Sequence, residues 1–266
     1  MKRLLGTLLA TLLIASASYA ETLRMAVTTS FYNSGLSEVL LPEIKSDLGL
    51  EIQLIVVGTG QALRLGEAGD VDAILVHARA AEDLFIGAGY GTHRREIMYN
   101  DFVFIGPSDD PAGIREASSA AGALLGIAKA TAPFVSRGDD SGTHKKEQNL
   151  WSEAGVSIEG DWYRAVGAGM GATLNVASGM NAYVFSDRAS WLNFGNKGAL
   201  DLLYSGDPSL FNQYAYIPVN PARWPHVQKD LALALEEWLA SENAAELING
   251  YTINGEHLFT FNATHP

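Results

Sequence analysis

The chain has 266 residues, 47% of them hydrophobic and 18% charged, with a formal net charge of −12. This is a globular composition with material for one large domain or two lobes, and its acidity argues against nucleic acid, whose phosphates require clustered Lys and Arg. The absence of cysteine excludes disulfides, a thiolate nucleophile, thiolate metal ligands and a lipid-bearing cysteine.

Lys2 and Arg3 precede the apolar run LLGTLLATLLIASAS, with small residues at Ser18 and Ala20. This predicts a cleaved signal peptide over residues 1–20, and a mature chain of net charge −14 once Lys2 and Arg3 are gone. No later run is apolar for long enough to span a bilayer. An exported chain with no membrane anchor is expected in the periplasm, as a monomer.

TLRMAVTTS reads as a strand ending in hydroxyl residues. NSGLSEVLLPEIKSDLG reads as a helix with Leu36, Leu40 and Ile44 on one face. Pro42 is expected to kink or restart it, and Gly49 to cap it. EIQLIVVGTG, VDAILVH, IMYNDFVFIGP, APFVSRG, AYVFSD and YAYIPVNP read as further strands. QALRLGEAGD, AEDLFIGAGYG, an alanine-rich run near residue 120, THKKEQNLWSEAG, ATLNVASGM and RASWLNFG read as helices, and HVQKDLALALEEWLASENAAELIN closes the chain as helix. Alternating strands and helices predict an α/β fold with largely parallel sheets. The strands IMYNDFVFIGP and YAYIPVNP are the expected crossings between two lobes.

Three stretches share one design at a strand-to-helix junction: Thr28, Thr29 and Ser30; Gly58, Thr59 and Gly60; and Asp140 to Thr143 with Ser141 and Gly142. Ligands of parallel α/β sheets bind beyond the carboxyl ends of the strands. Helix N-termini there expose unpaired N–H groups and partial positive charge, and small hydroxyl residues add donors, so the stretches suit an oxyanion. Helix capping is the structural alternative for each. Arg137 adds a planar fork of donors, with Asp139 or Asp140 as potential partners. GAGMGA over residues 167–172 matches a dinucleotide pattern without the right strand before it. It reads better as a glycine-rich turn lending N–H groups, and Thr173, to the same anion site. Ser141, His144 and Asp140 leave a serine-hydrolase reading open, with no base evidently aimed at the hydroxyl. His77, His93 and His144 read as structural, since no histidines pair at metal-ligand spacing.

In order along the mature chain, AVTTS, VVGTGQAL, DAILVHARAAED, MYNDFVFIGPSDDPAGI, SRGDDSGTHKKE, GMGATLNVAS and AYVFSDRASWL together resemble the tungstate-binding proteins of ABC transporters, the TupA family. The resemblance implies a two-lobed periplasmic binding protein fold of type II character, with lobe I over 21–104 and 218–266, lobe II over 105–217, and two hinge strands. It implies that the lobes close on one tetrahedral oxyanion, tungstate or molybdate, for delivery to an inner-membrane permease, without catalysis, cofactor or protein-bound metal. It places ligand contacts at Thr28, Thr29, Ser30, Arg137, Ser141, Gly142 and Thr143, and less directly at Thr59 and Thr173. The chain departs from the family in having Ala26-Val27 where a longer threonine run is common. Tungstate and molybdate only accept hydrogen bonds, so an all-donor site suits them. Monohydrogen phosphate would want a carboxylate acceptor, which Asp139 or Asp140 would have to supply, and phosphate therefore stays as the alternative ligand.

Overall fold

The computed structural model describes residues 21–139 and 141–264. The expected signal peptide and Asp140 lie outside the described residues.

The chain begins with strand β1 (Glu21–Thr28), short helix α1 (Thr29–Asn33), α2 (Leu36–Leu48), β2 (Leu50–Val57), α3 (Thr59–Ala68), β3 (Ala73–Val76) and α4 (Arg79–Gly87). β1 pairs in parallel with β2 on one side and β3 on the other. β3, inside this block, is covered on both faces, which suits the run Ala73–Val76, buried at every position. Pro42 sits inside α2 without ending it. The buried stripe of Leu36, Leu40 and Ile44 holds the helix together across the missing N–H. Gly49 ends it in the left-handed conformation, its N–H donating to the Lys45 carbonyl.

The long strand β4 (Arg95–Pro107) follows, then α5 (Ala120–Lys129), β5 (Phe134–Ser136), α6 (Gly142–Glu153), β6 (Tyr163–Ala165), α7 (Met170–Met180), β7 (Tyr183–Asp187), α8 (Arg188–Asn193) and β8 (Leu200–Tyr204). β7, β5 and β6 form a second parallel block. β9 (Phe211–Pro218) returns the chain, and α9 (Lys229–Leu239), α10 (Glu242–Gly250) and the two-residue strands β10 (Thr252–Ile253), β11 (Glu256–His257) and β12 (Thr260–Phe261) finish it.

The strand order is β2-β1-β3-β9-β4-β7-β5-β6, with β8 and β12 also on β4. β4 pairs with β9 over Arg95–Asp101 and with β7 over Phe102–Ile105, all antiparallel. β4 and β9 therefore stand between the two parallel blocks. Asn212 Nδ2 donates to Asn100 Oδ1 at 2.8 Å within this central pair. One core cluster gathers Ala26, Ile74, Phe85 and Ile217 in the first block, and a second gathers Phe104, Phe134, Trp151 and Tyr183 in the other. The largest runs through both blocks, from Leu36 and Trp238 to Val135 and Leu174.

The structure differs from expectation at three places. LDLLY forms β8, which the sequence reading left without an element. The closing helix is two helices, because Ser241 caps α10 by accepting the Ala244 N–H. The last segment returns as β12 beside Tyr99 and Met98 of β4.

Candidate functional site

Where the strands of the two parallel blocks end, a cleft of about 910 Å³ opens, lined by residues from both. Three helices of substantial length begin on it: α3 (10 residues), α6 (12) and α7 (11). The first-turn N–H groups of a helix have no carbonyl of their own helix to bind. Gly58 and Gly169, which precede α3 and α7, supply no capping side chain. Ser141 does cap α6, accepting the His144 N–H at 3.3 Å.

Thr28, Thr29 and Ser30 line the cleft together with Gly58, Thr59 and Gly60. Opposite them stand Arg137, Ser141, Gly142 and Thr143. The facing walls are close, since a Cβ built on Gly142 would lie 3.9 Å from the His77 ring. The structure thus brings to one cleft every expected site residue except Thr173. Thr173 is fully buried, and its hydroxyl donates to the main-chain oxygens of Ala168 (3.3 Å) and Gly169 (3.1 Å). Gly169, Met170 and Gly171 reach the cleft in its place, and the glycine-rich turn contributes backbone where a hydroxyl was expected.

Arg137 owes its placement to Gly138, whose backbone turns at φ +61°, with a Cβ there only 2.7 Å from that of Ala165. The turn folds Asp139 back, and its Oδ2 accepts both Nε–H and an Nη2–H of Arg137. Its Oδ1 accepts the Ser141 N–H at 3.3 Å. Burial alone would raise the Asp139 carboxyl, but the hydrogen bonds from Ser141 and Arg137, with the arginine's charge, hold it below its ordinary value. Asp139 is absent from the lining of the cleft. The carboxylate holds one edge of the guanidinium fork, taking two of its five N–H bonds.

Asp187 is the one acid among the described residues lining the cleft. Its oxygens accept the Ser190 N–H and the Ser190 hydroxyl, both at 2.8 Å. Ser141 Oγ caps its own helix by accepting the His144 N–H, and Asp139 is engaged with Arg137 and the Ser141 N–H. No group of three or more His, Cys, Asp or Glu that would hold a metal ion occurs among the described residues.

The sequence reading missed several members of the lining. Arg64 lies one turn into α3, its Nε and Nη2 donating to Gln61 Oε1 at 3.1 and 2.8 Å. Lys145 lies one turn into α6. His77 occupies the floor, with Nε2 3.0 Å from Ser30 Oγ and its ring 4.7 Å from that of Tyr214. Burial pushes His77 down to about 4, so the ring is neutral at neutral pH. The available signal was its place at the carboxyl end of a fully buried strand, the position shared by the other site residues.

Two carboxylates sit just behind the lining. Glu147, buried in α6, accepts from Ser136 Oγ (2.8 Å), Tyr163 OH (2.9 Å) and Trp151 Nε1 (3.2 Å). Burial pushes it up to about 7 against those hydrogen bonds. Glu82, fully buried, accepts the Ala78 N–H at the start of α4 and the Arg94 Nε–H at 2.6 Å. Unlike α3 and α7, α4 meets the cleft with its N-terminal donor already taken by its own acid.

Comparisons with known proteins agree with this geometry. The model of a family described as a PBP superfamily domain matches residues 15–243. The chain is 46% identical over 243 residues to a tungstate-binding protein TupA of Peptoclostridium acidaminophilum, covering 90% of this chain and 85% of the relative. It is 47% identical over 248 residues to a putative ABC transporter anion-binding protein of Haloferax volcanii, covering 91% and 72%. Among solved structures, the tungstate-binding protein TupA from Desulfovibrio alaskensis G20 superposes with a TM-score of 0.89 at 46% identity, covering 92% of this chain and all of that one.

Proposed function

Since the chain belongs to the PBP superfamily and, within it, to the TupA tungstate-binding proteins, we propose that it is the substrate-binding component of an ABC transporter and captures tungstate in the cleft described above. It is a binding protein and not an enzyme. We place it in the periplasm, monomeric, handing its cargo to an inner-membrane permease. The observation that carries this reading is the convergence of three helix N-termini and Arg137 on one cleft, where Asp187, the one acid among the described lining residues, is held by Ser190.

Tungstate is a doubly charged tetrahedron that accepts hydrogen bonds and donates none. Thr28, Thr29, Ser30 and Thr59 from one wall and Arg137, Ser141, Gly142 and Thr143 from the other would surround it with hydroxyl, amide and guanidinium donors. Aligned backbone dipoles supply much of the positive potential, and the surface acids are screened over about 10 Å at ordinary ionic strength. Lobe I (21–104 and 218–266) and lobe II (105–217) would close about β4 and β9. Molybdate, of nearly the same charge and shape, fits the same donor set. Phosphate fits less well in that Asp139, one of the two acids that could accept its proton, is turned onto Arg137 and Ser141.

The test is calorimetric titration of the mature chain with tungstate, molybdate, sulfate and phosphate in turn. The two metal oxyanions should bind tightly at one site and millimolar phosphate weakly. Phosphate bound more tightly than tungstate would overturn the reading.

A further inference from the structure

His77 has more partners than a structural histidine needs. Its Nε2 is 3.0 Å from Ser30 Oγ. The ring is also within hydrogen-bond reach of its own carbonyl and of the Asn212 side chain. Asn212 gives one N–H of its amide to Asn100 Oδ1. A neutral imidazole has one donor and one acceptor nitrogen. The residue's own carbonyl oxygen, which only Nδ1 can reach, draws the proton to Nδ1, and Nε2 is left to accept.

Ser30 then has one hydrogen to place among three neighbours. These are His77 Nε2 (3.0 Å), Thr28 Oγ1 (3.0 Å) and Tyr214 OH (3.1 Å). Tyr214 is fully buried, and burial raises its phenol well above the ordinary range, so it keeps its proton and can donate. Nε2 is the neighbour with no hydrogen of its own. In the empty cleft, Ser30 gives its hydrogen to His77 and shows lone pairs to the space an oxyanion would enter. That polarity is wrong for a ligand with no proton to give.

We propose that His77 takes up a proton as the oxyanion enters, so that capture is proton-coupled; this rests on the oxyanion reading above. Protonated at both nitrogens, the ring donates to Ser30 as well as to its own carbonyl oxygen. Ser30 Oγ becomes the acceptor from His77, and its own hydrogen swings into the cleft. One change thus supplies a donor and a positive charge. Burial opposes the charged ring while the cleft is empty, and a dianion nearby reverses that balance.

The other charged or titratable groups around His77 do not do this work. Arg137 is fixed in charge and partly met by Asp139, and Asp187 is held by Ser190. Glu82, behind the adjoining helix, is paired with Arg94. Tyr214 is the titratable group that β9 turns to the ring. From α6, across the cleft, come the start of the helix at Gly142 and Lys145, whose positive charge disfavours a second cation and lowers the uptake expected.

The experiment is calorimetric titration with tungstate at pH 6 in buffers of different ionisation enthalpy, which counts protons. A positive fraction of a proton per anion is expected. Affinity should strengthen as pH falls from 8 to 6, by no more than tenfold per pH unit for one proton. His77→Gln keeps a donor and an acceptor but cannot charge, and it should abolish the uptake and flatten the profile. Glu147 also titrates near this range, so the same comparison on a Glu147→Gln background must still show the His77 contribution. Side-chain ¹⁵N spectra of the unmutated protein should show His77 moving from neutral to imidazolium shifts on adding tungstate. Tungstate binding with no proton uptake, or with uptake unchanged in His77→Gln, or with a neutral His77 signal in the bound state, refutes the coupling. Failure of tungstate to bind at all refutes the functional proposal instead.

Discussion

Arg137→Lys tests the site at its most specific point. The substitution keeps the positive charge and most of the length. In the structure two N–H groups of the guanidinium are held by Asp139 Oδ2, and the proposal gives the opposite edge to the ligand. A lysine ammonium cannot serve both sides with a planar fork. Held by Asp139, it leaves the anion short of at least one charge-assisted hydrogen bond. Turned to the anion, it leaves Asp139 unpaired beside a dianion. Either way one such bond is lost, about 1.5–3 kcal/mol, or roughly ten- to a hundredfold in affinity. Isothermal titration with tungstate reads this directly. The unfolding midpoint of the ligand-free protein should hardly move, because the Arg137–Asp139 pair is part-exposed and such pairs contribute little. Affinity within threefold of the unmutated protein would refute the assignment of Arg137 as a ligand contact.

Glu147 holds its proton more tightly folded than unfolded, about 7 against an ordinary 4.5. The folded state therefore binds more protons between those values, and stability is greatest below pH 4.5 and falls as pH rises through 7, by at most about 3 kcal/mol. Denaturant unfolding at pH 5 and pH 8 should show that loss, and Glu147→Gln should shrink it; an identical profile in the variant would be inconsistent with the buried carboxyl. Gly138→Ala forces a side chain into the left-handed region and against Ala165, which should cost about 1–2 kcal/mol in stability and weaken tungstate binding by displacing Arg137; a variant as stable as its parent would contradict this. Thr173→Val removes a hydroxyl that serves only its own helix end, so stability should fall by about 1 kcal/mol with tungstate affinity unchanged, and a tenfold loss of affinity would restore Thr173 to the site.

Much of this was legible because the signals were local. A hydroxyl or glycine at the end of a buried strand, followed by helix, marks a junction, and Thr28, Gly58 and Ser141 each carried that mark. Arg137 was legible because arginine beside glycine and acid, before a helix, has few other uses. What the sequence did not disclose depended on distance along the chain. Ser30 and His77 are 47 residues apart and Ser30 and Tyr214 are 184 apart, and no periodicity links them. Thr173 failed for the opposite reason. It lies within reach of carbonyls four and five residues back, and a helix-start hydroxyl turned inward looks the same in sequence as one turned outward. β8 was missed because a five-residue strand with only Leu200 and Leu203 buried shows too short an alternation to stand out, and its pairing with β4 is what makes it a strand.

Glu82 at the start of α4 has the character of a tethered competitor. It holds the Ala78 N–H from within the same helix, at an effective concentration that no free anion in solution matches. An oxyanion that strays along the wall toward Ala78 and Ala81 therefore finds a berth already taken, with a negative charge behind it. The starts of α3 and α7 have no such occupant among the described residues. The wall thereby limits the number of ways a small, nearly spherical ligand can be seated wrongly, and it favours a stoichiometry of one anion per chain in a cleft of about 910 Å³.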